Sequence, residues 1–308
     1  MTVLSHIQPA AATIQTASPD VLSRRCVIVA FSGGLPGTTR KDNRATDTVA
    51  GAHKVQRGGG KYSKALWSPA ALKDATAILA AARVTHCALS AAWGEGADRI
   101  VPAARFKVWA RRMSAHRAAF DRARDAFLGD YAHWSQAEPA ARLGDLYDPS
   151  QYPTRDQVAA AFRFSLRQSP VPADWRTDMV GADMADARAA WEAQVAADVV
   201  ESQRDTAADA RAKVAKLADV LDAYRPGEPG VRAQGTFHQS TVDAVRDAAE
   251  SLRSRNIVGD ATLDRVADAL PKLARHTAAT LKDDPAKRAD TRRAAERVAA
   301  DLGAFMGA

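Results

Sequence analysis

Apolar and polar positions along the chain predict a mixed first part and a helical second part. "RRCVIVAF" (24–31) is β-branched and apolar and predicts a strand, which "SGGLPGTT" then breaks. "RATDTVAGAHKV" (44–55) predicts a short helix ahead of a Gly-rich loop at 57–61. Over 68–89, Leu72, Ile78, Leu79 and Ala82 fall near one face of a helix, with Ser68 as its cap and Pro69 in its first turn. A loop or short hairpin follows at 90–102. A long helix is expected at about 103–134, where Phe106, Val108, Trp109, Met113, Phe120 and Phe127 recur at near-helical spacing.

"PAARLGDLY" reads as a short helix, "DPSQYP" as a turn, and Thr154 as the cap of a brief helix to Ala161. From 162 to 171, Phe162, Phe164 and Leu166 alternate with Arg163, Ser165 and Arg167, the pattern of a half-buried strand. An Ala-rich helix then fills 182–224 and ends at "RPGEPG". Further helices are expected at about 238–254, 260–278 and 284–305. The expected fold class is therefore α+β, predominantly helical. Residues 1–23 read as a flexible arm, 24–180 as a basic mixed α/β domain and 181–308 as a helical domain, with the boundary near 175–182.

Composition sharpens this picture. Much of the 46% hydrophobic content is alanine and only 6% of the chain is aromatic, which favours helices packed through small side chains. A chain of 308 residues buries roughly 75% of its unfolded surface, enough for a real core. No apolar run of about 18 residues predicts a membrane span. Two cysteines, Cys26 and Cys87, cannot build a disulfide framework, so a reducing, cytoplasmic setting is expected.

The net charge of +7 is unevenly placed: residues 1–124 carry +12 and the remainder −5. A basic first part suits an anionic partner, and a solvated surface would leave the same trace.

Candidate chemistry is sparse. "HKVQRGGGKYSK" (53–64) fails the phosphate-loop pattern twice: Tyr62 follows Gly60-Lys61 where Ser or Thr is needed, and Val55 stands where the first glycine belongs. What survives is a loop with Lys54, Arg57, Lys61 and Lys64 around Tyr62, with Trp67 just beyond. Cations and exposed amides grip phosphates, and aromatics stack on bases. A plain linker explains the glycines equally. On the 103–124 helix, Arg105, Arg112 and Arg122 are expected to line one side and suit a phosphate backbone. His53, His86, Cys87 and His133 are scattered, with no metal-ligand spacing, and "FSGG" lacks a nucleophile elbow. No catalytic residue, metal or cofactor is expected. Val195, Val199, Val214, Leu217 and Leu221 form a stripe that suits either bundle packing or assembly with a partner.

Several segments in order carry a resemblance over about residues 55–180. They are Lys61-Tyr62-Ser63-Lys64 ahead of a helix, then Trp93, Gly96, Arg99 and Pro102, then Tyr152-Pro153 with Phe162 and Phe164. This order resembles a group of tailed-phage proteins called DUF3150 proteins. The chain departs from them with Lys61 in place of the usual Arg and "SAAW" in place of "TLPW". The resemblance implies a phage or prophage origin and a host-cell setting among DNA-metabolism or ATPase-associated genes. Three functions are therefore expected as alternatives. The first is a non-enzymatic, oligomeric protein binding nucleic acid, single-stranded DNA above all. The second is an adaptor assembling with itself, a virion component or an ATPase, and the third an inhibitor of a host defence complex.

Overall fold

A computed structural model describes residues 14–56, 59–94, 96–172, 183–227 and 234–307, with the backbone alone over 183–187. The fold is α+β and predominantly helical. In chain order come α1 (Pro19–Arg25), β1 (Cys26–Gly34), β2 (Thr39–Lys41), α2 (Asn43–His53), β3 (Ser63–Ala65), α3 (Lys73–Ala88), β4 (Ala91–Ala92), β5 (Arg99–Pro102) and α4 (Ala103–Gly129). Then follow α5 (Glu138–Leu143), α6 (Arg155–Ala161), β6 (Arg163–Pro170), α7 (Asp183–Ala223), α8 (Gln239–Arg255), α9 (Ala261–Leu273), α10 (Ala278–Asp283) and α11 (Pro285–Met306). One sheet has the strand order β4-β5-β1-β6, and β2 and β3 form a separate two-stranded ribbon.

The chain divides into two compact units, and neither is one continuous stretch. The first takes the chain up to Ala30, Cys87–Trp109 and everything from Gln168; the second takes Phe31–His86 and Ala110–Arg167. The boundary expected at 175–182 lies outside the described residues. A shift to Ala-rich composition marks where a helix begins. It does not report which distant segments share a core.

In the first unit, α7 buries Ala207, Ala210, Val214, Leu217 and Leu221, alternating steps of three and four residues. That spacing gives one apolar seam along a helix, and α8, α9 and α11 close on it through Val245, Leu252, Leu263, Leu270, Leu302 and Phe305. A second cluster joins Leu22, Ile28, Ala91 and Ile100 to Val195, Val199, Ile257 and Val258. Its strands are antiparallel, with Cys26 opposite Pro102 and Ala91 opposite Ile100. The hairpin between β4 and β5 turns through Gly94 and Gly96, both at positive φ (58° and 121°), where a side chain would be strained.

The arm expected at 1–23 is in part structured. Ile14 lies in the bundle core and Leu22, on α1, in the second cluster. These two buried side chains dock the described stretch from Ile14 into the first unit. Residues 1–13 lie outside the described residues. Two expected helices also shift. The one at 68–89 begins only at Lys73, after a turn over Pro69–Leu72, and the one at 260–278 ends at Leu273 and resumes at Ala278 under a Thr277 cap.

The second unit is built on aromatic side chains. Met113, Phe120 and Phe127 recur every seven residues on α4 and are buried. Phe127 meets Trp67, Tyr131 and Phe162, and Trp67 also meets Tyr152 edge-on at 5.5 Å. Thr154 and Gln157 form a reciprocal capping box at the start of α6. In β6, Phe164 is buried while Arg163, Ser165 and Arg167 are exposed, the alternation expected of it.

Candidate nucleic-acid interface

Residues 39–65 leave the body of the second unit as a strand, a helix and a returning strand. β2 and β3 are antiparallel, with Thr39 opposite Ala65 and Lys41 opposite Ser63. Asp42 starts α2 as its N-cap, its carboxylate accepting from the Ala45 N–H at 2.9 Å. Lys54 ends α2 in the left-handed conformation at φ 51°, a place glycine usually takes. Of the eleven residues of α2, only Ala45 is buried.

The root of this excursion is tightly held, and it corrects two expected contacts. Lys64 is not a surface cation: it is 2% exposed, with Nζ 3.1 Å from Asp42 Oδ2 and donating to the Leu146 carbonyl. Trp67 is not a stacking platform: it is 3% exposed, and its Nε1 donates to the Gly37 carbonyl at 2.9 Å. Around them Arg142 donates to the Ala65 and Leu66 carbonyls, and the Tyr152 hydroxyl donates to Leu66, each at 3.1 Å. A buried ammonium needs a paired carboxylate, and a buried indole needs an acceptor; both are supplied.

The backbone N–H of Ala45 and the ammonium of Lys64 hold the Asp42 carboxyl below its ordinary value. The sign follows. A depressed carboxylate contributes stability that is present above its unfolded value and is lost as pH falls through the folded one. On acidification, hydrogen-exchange protection of 39–46 is expected to fall before that of the aromatic core. In Asp42→Asn this acid step should vanish, and a step that persisted would assign it to another carboxylate.

Lys54, Lys61 and Tyr62 remain exposed, Tyr62 by 38%, and Arg57 lies outside the described residues. The excursion adds Arg40, Lys41 and Arg44, all exposed, which the sequence reading passed over. The signal was in "TTRKDNRA", where a capping Asp stands between cations on either side. Arg40 also donates to the Gln151 carbonyl.

The α4 arginines are less uniform than expected. Arg105 belongs to the first unit and is half-buried, its Nε shielded from solvent and without a hydrogen bond. Arg112 and Arg122 are exposed in the second unit. Ten residues apart on a helix, they stand about 80° apart in azimuth, so they do not share one side. Arg111 and Arg122, eleven apart, agree to within about 20°. Arg117 donates to the Phe164 carbonyl and lies 5.6 Å over its ring, and Arg124 pairs with Asp121 and Asp125. His116, 2.9 Å from the Thr85 hydroxyl, titrates below the ordinary imidazole value because of partial burial and then Arg112.

Burial raises the Cys26 thiol to about 11, which keeps it protonated and unreactive at neutral pH. Among the described residues no cluster of His, Cys, Asp or Glu is arranged to hold a metal, and no helix is long and apolar enough to cross a membrane. The stripe of Val195, Val199, Val214, Leu217 and Leu221 is buried within the first unit. The residues carrying the phage-protein resemblance also serve the fold. Lys64 closes the root of the excursion, Arg99 donates to Ser90 and Cys87 carbonyls, and Phe162 and Phe164 are core. Comparison with known proteins finds no matching family model, curated protein or solved structure.

Proposed function

We propose that this chain is a non-enzymatic nucleic-acid-binding protein, phage-encoded as its resemblance implies, that acts as an oligomer in the host cytoplasm and holds single-stranded DNA without sequence preference. The observation that carries the reading is where the charge sits. The second unit has 18 Lys and Arg against 10 Asp and Glu, net +8, while the first unit comes to −1. Within the second unit, Arg40, Lys41, Arg44, Lys54 and Lys61 stand exposed on one 27-residue excursion. Cations so placed neutralise phosphates and release counterions, and Tyr62 offers a face for stacking. Arg111, Arg112 and Arg122 on α4 add further exposed cations in the same unit.

The test is the triple variant Lys54→Ala, Arg57→Ala, Lys61→Ala, with Lys64 left intact because it holds the fold. Anisotropy of a labelled single-stranded oligonucleotide is followed across a salt series. Losing up to about three contacts lowers the log–log salt slope by about 2 for a single strand. An unchanged slope removes the loop from the site. Absent binding, together with a discrete oligomer of the chain alone, moves the reading to an adaptor role.

A further inference from the structure

Five large apolar side chains stand exposed among the described residues, and three of them, Val49 (48%), Val55 (39%) and Tyr62 (38%), belong to the excursion. Hydrogen bonds hold Tyr62 and Val55 against α2, which carries Val49. The Tyr62 N–H donates to the Thr46 hydroxyl at 2.9 Å, and the Val55 N–H to the Ala50 carbonyl at 2.9 Å. Tyr62 is thus tied to the side of α2 that carries Thr46, Val49 and Ala50, and Val55 closes the last turn of the helix.

The same excursion carries the exposed cations Arg40, Lys41, Lys54 and Lys61, with Arg44 about 140° around α2 from Val49. The excursion has two carboxylates, and one of them, Asp42, is turned into its root, leaving Asp47. A helix of eleven residues with one buried side chain is marginal by itself. A partner that is apolar and polyanionic at once would cover what α2 leaves bare. An unpaired nucleic-acid strand has both properties, since its bases present flat apolar faces beside a charged backbone. A duplex keeps those faces stacked inside.

We infer that Val49, Val55 and Tyr62 form a base-contacting face, that Lys54 and Lys61 with the cations of β2 carry the flanking phosphates, and that α2 becomes firmly ordered only under the bound strand. This rests on the nucleic-acid reading and names the side chains that contact the unpaired bases. The probes are a fluorescent 15-nucleotide oligothymidine, a hairpin duplex of matched length, and vesicles containing phosphatidylserine. The variant is Val49→Ser with Val55→Ser. Both side chains are exposed, so its melting midpoint should match that of the parent.

The expected result has three parts. The variant binds oligothymidine about tenfold more weakly at an unchanged salt slope, the order of one lost base contact. It binds the hairpin as the parent does. Hydrogen exchange of 43–53 in the parent slows when oligothymidine is added.

An undiminished affinity of the valine variant, with Lys54→Ala, Lys61→Ala still weakening binding, overturns the base face and leaves the electrostatic reading standing. Equal loss on the hairpin overturns it too, because the valines would then not be reading unpaired bases. Failure of every oligonucleotide removes both readings. Valine-dependent binding to vesicles alone reassigns the face to an anionic membrane and overturns the proposal.

Discussion

In a chain stopped after residue 181, the first-unit segments that remain, up to Ala30 and Cys87–Trp109, are expected to lose their fold. A split by composition would forecast the reverse. The reason lies in the second apolar cluster of the first unit, where Leu22, Ile28, Ala91 and Ile100 pack with Val195, Val199, Ile257 and Val258. Truncation deletes the last four. At about 1.5–3 kcal/mol per buried aliphatic side chain, that forfeits on the order of 6–12 kcal/mol. A whole domain is stable by only about 5–15 kcal/mol. The bundle core contributed by α7 to α11 goes as well. Hydrogen exchange of the truncated chain should find Cys26–Val29 and Arg99–Pro102 without protection, with strong binding of a hydrophobic dye. Retained protection of those strands would refute the shared core.

Replacing Trp67 by alanine is expected to destabilise the protein by about 3–5 kcal/mol, the range for deleting a buried large aromatic. Trp67 is 3% exposed and meets Phe127, Tyr131 and Tyr152 at ring-centroid distances of 5.4–6.2 Å. Its loss also leaves the Gly37 carbonyl without its indole donor. Tyr62→Ala, five residues away at an exposed position, should change stability by no more than about 0.5 kcal/mol. Denaturant unfolding of both variants, beside oligonucleotide affinity, separates the two roles. Trp67→Ala moves the unfolding midpoint and Tyr62→Ala moves the affinity. If Trp67→Ala weakened binding with stability intact, the indole would be a contact after all.

Where the sequence was legible, a local rule carried the information. The period-two alternation from Phe162 identified β6, and Thr154 marked the start of α6. The long helix at α7 was visible as an unbroken Ala-rich run closed by Pro and Gly. What was hidden depends on partners far along the chain. Lys64 in "KYSK" looks like its neighbour Lys61, yet it is buried because Asp42 stands 22 residues before it and the Leu146 carbonyl 82 residues after it. Trp67 beside a Gly-rich loop looks available for stacking until Phe127 and Tyr152 are seen to cover it. The two units escaped for the same reason, since each gathers separated segments and no single stretch carries the mark of its unit.

The Cys26 thiol reaches the carbonyl of Ile257 at 3.7 Å, a contact that spans 231 residues. On a ribosome adding about 5–20 residues per second, β1 emerges some 10–50 s before the segment that covers it. For that interval an apolar strand waits with its face bare. Synthesis of this protein should therefore depend on holdase chaperones far more than its refolding from denaturant at high dilution, where both ends of the contact are present from the start.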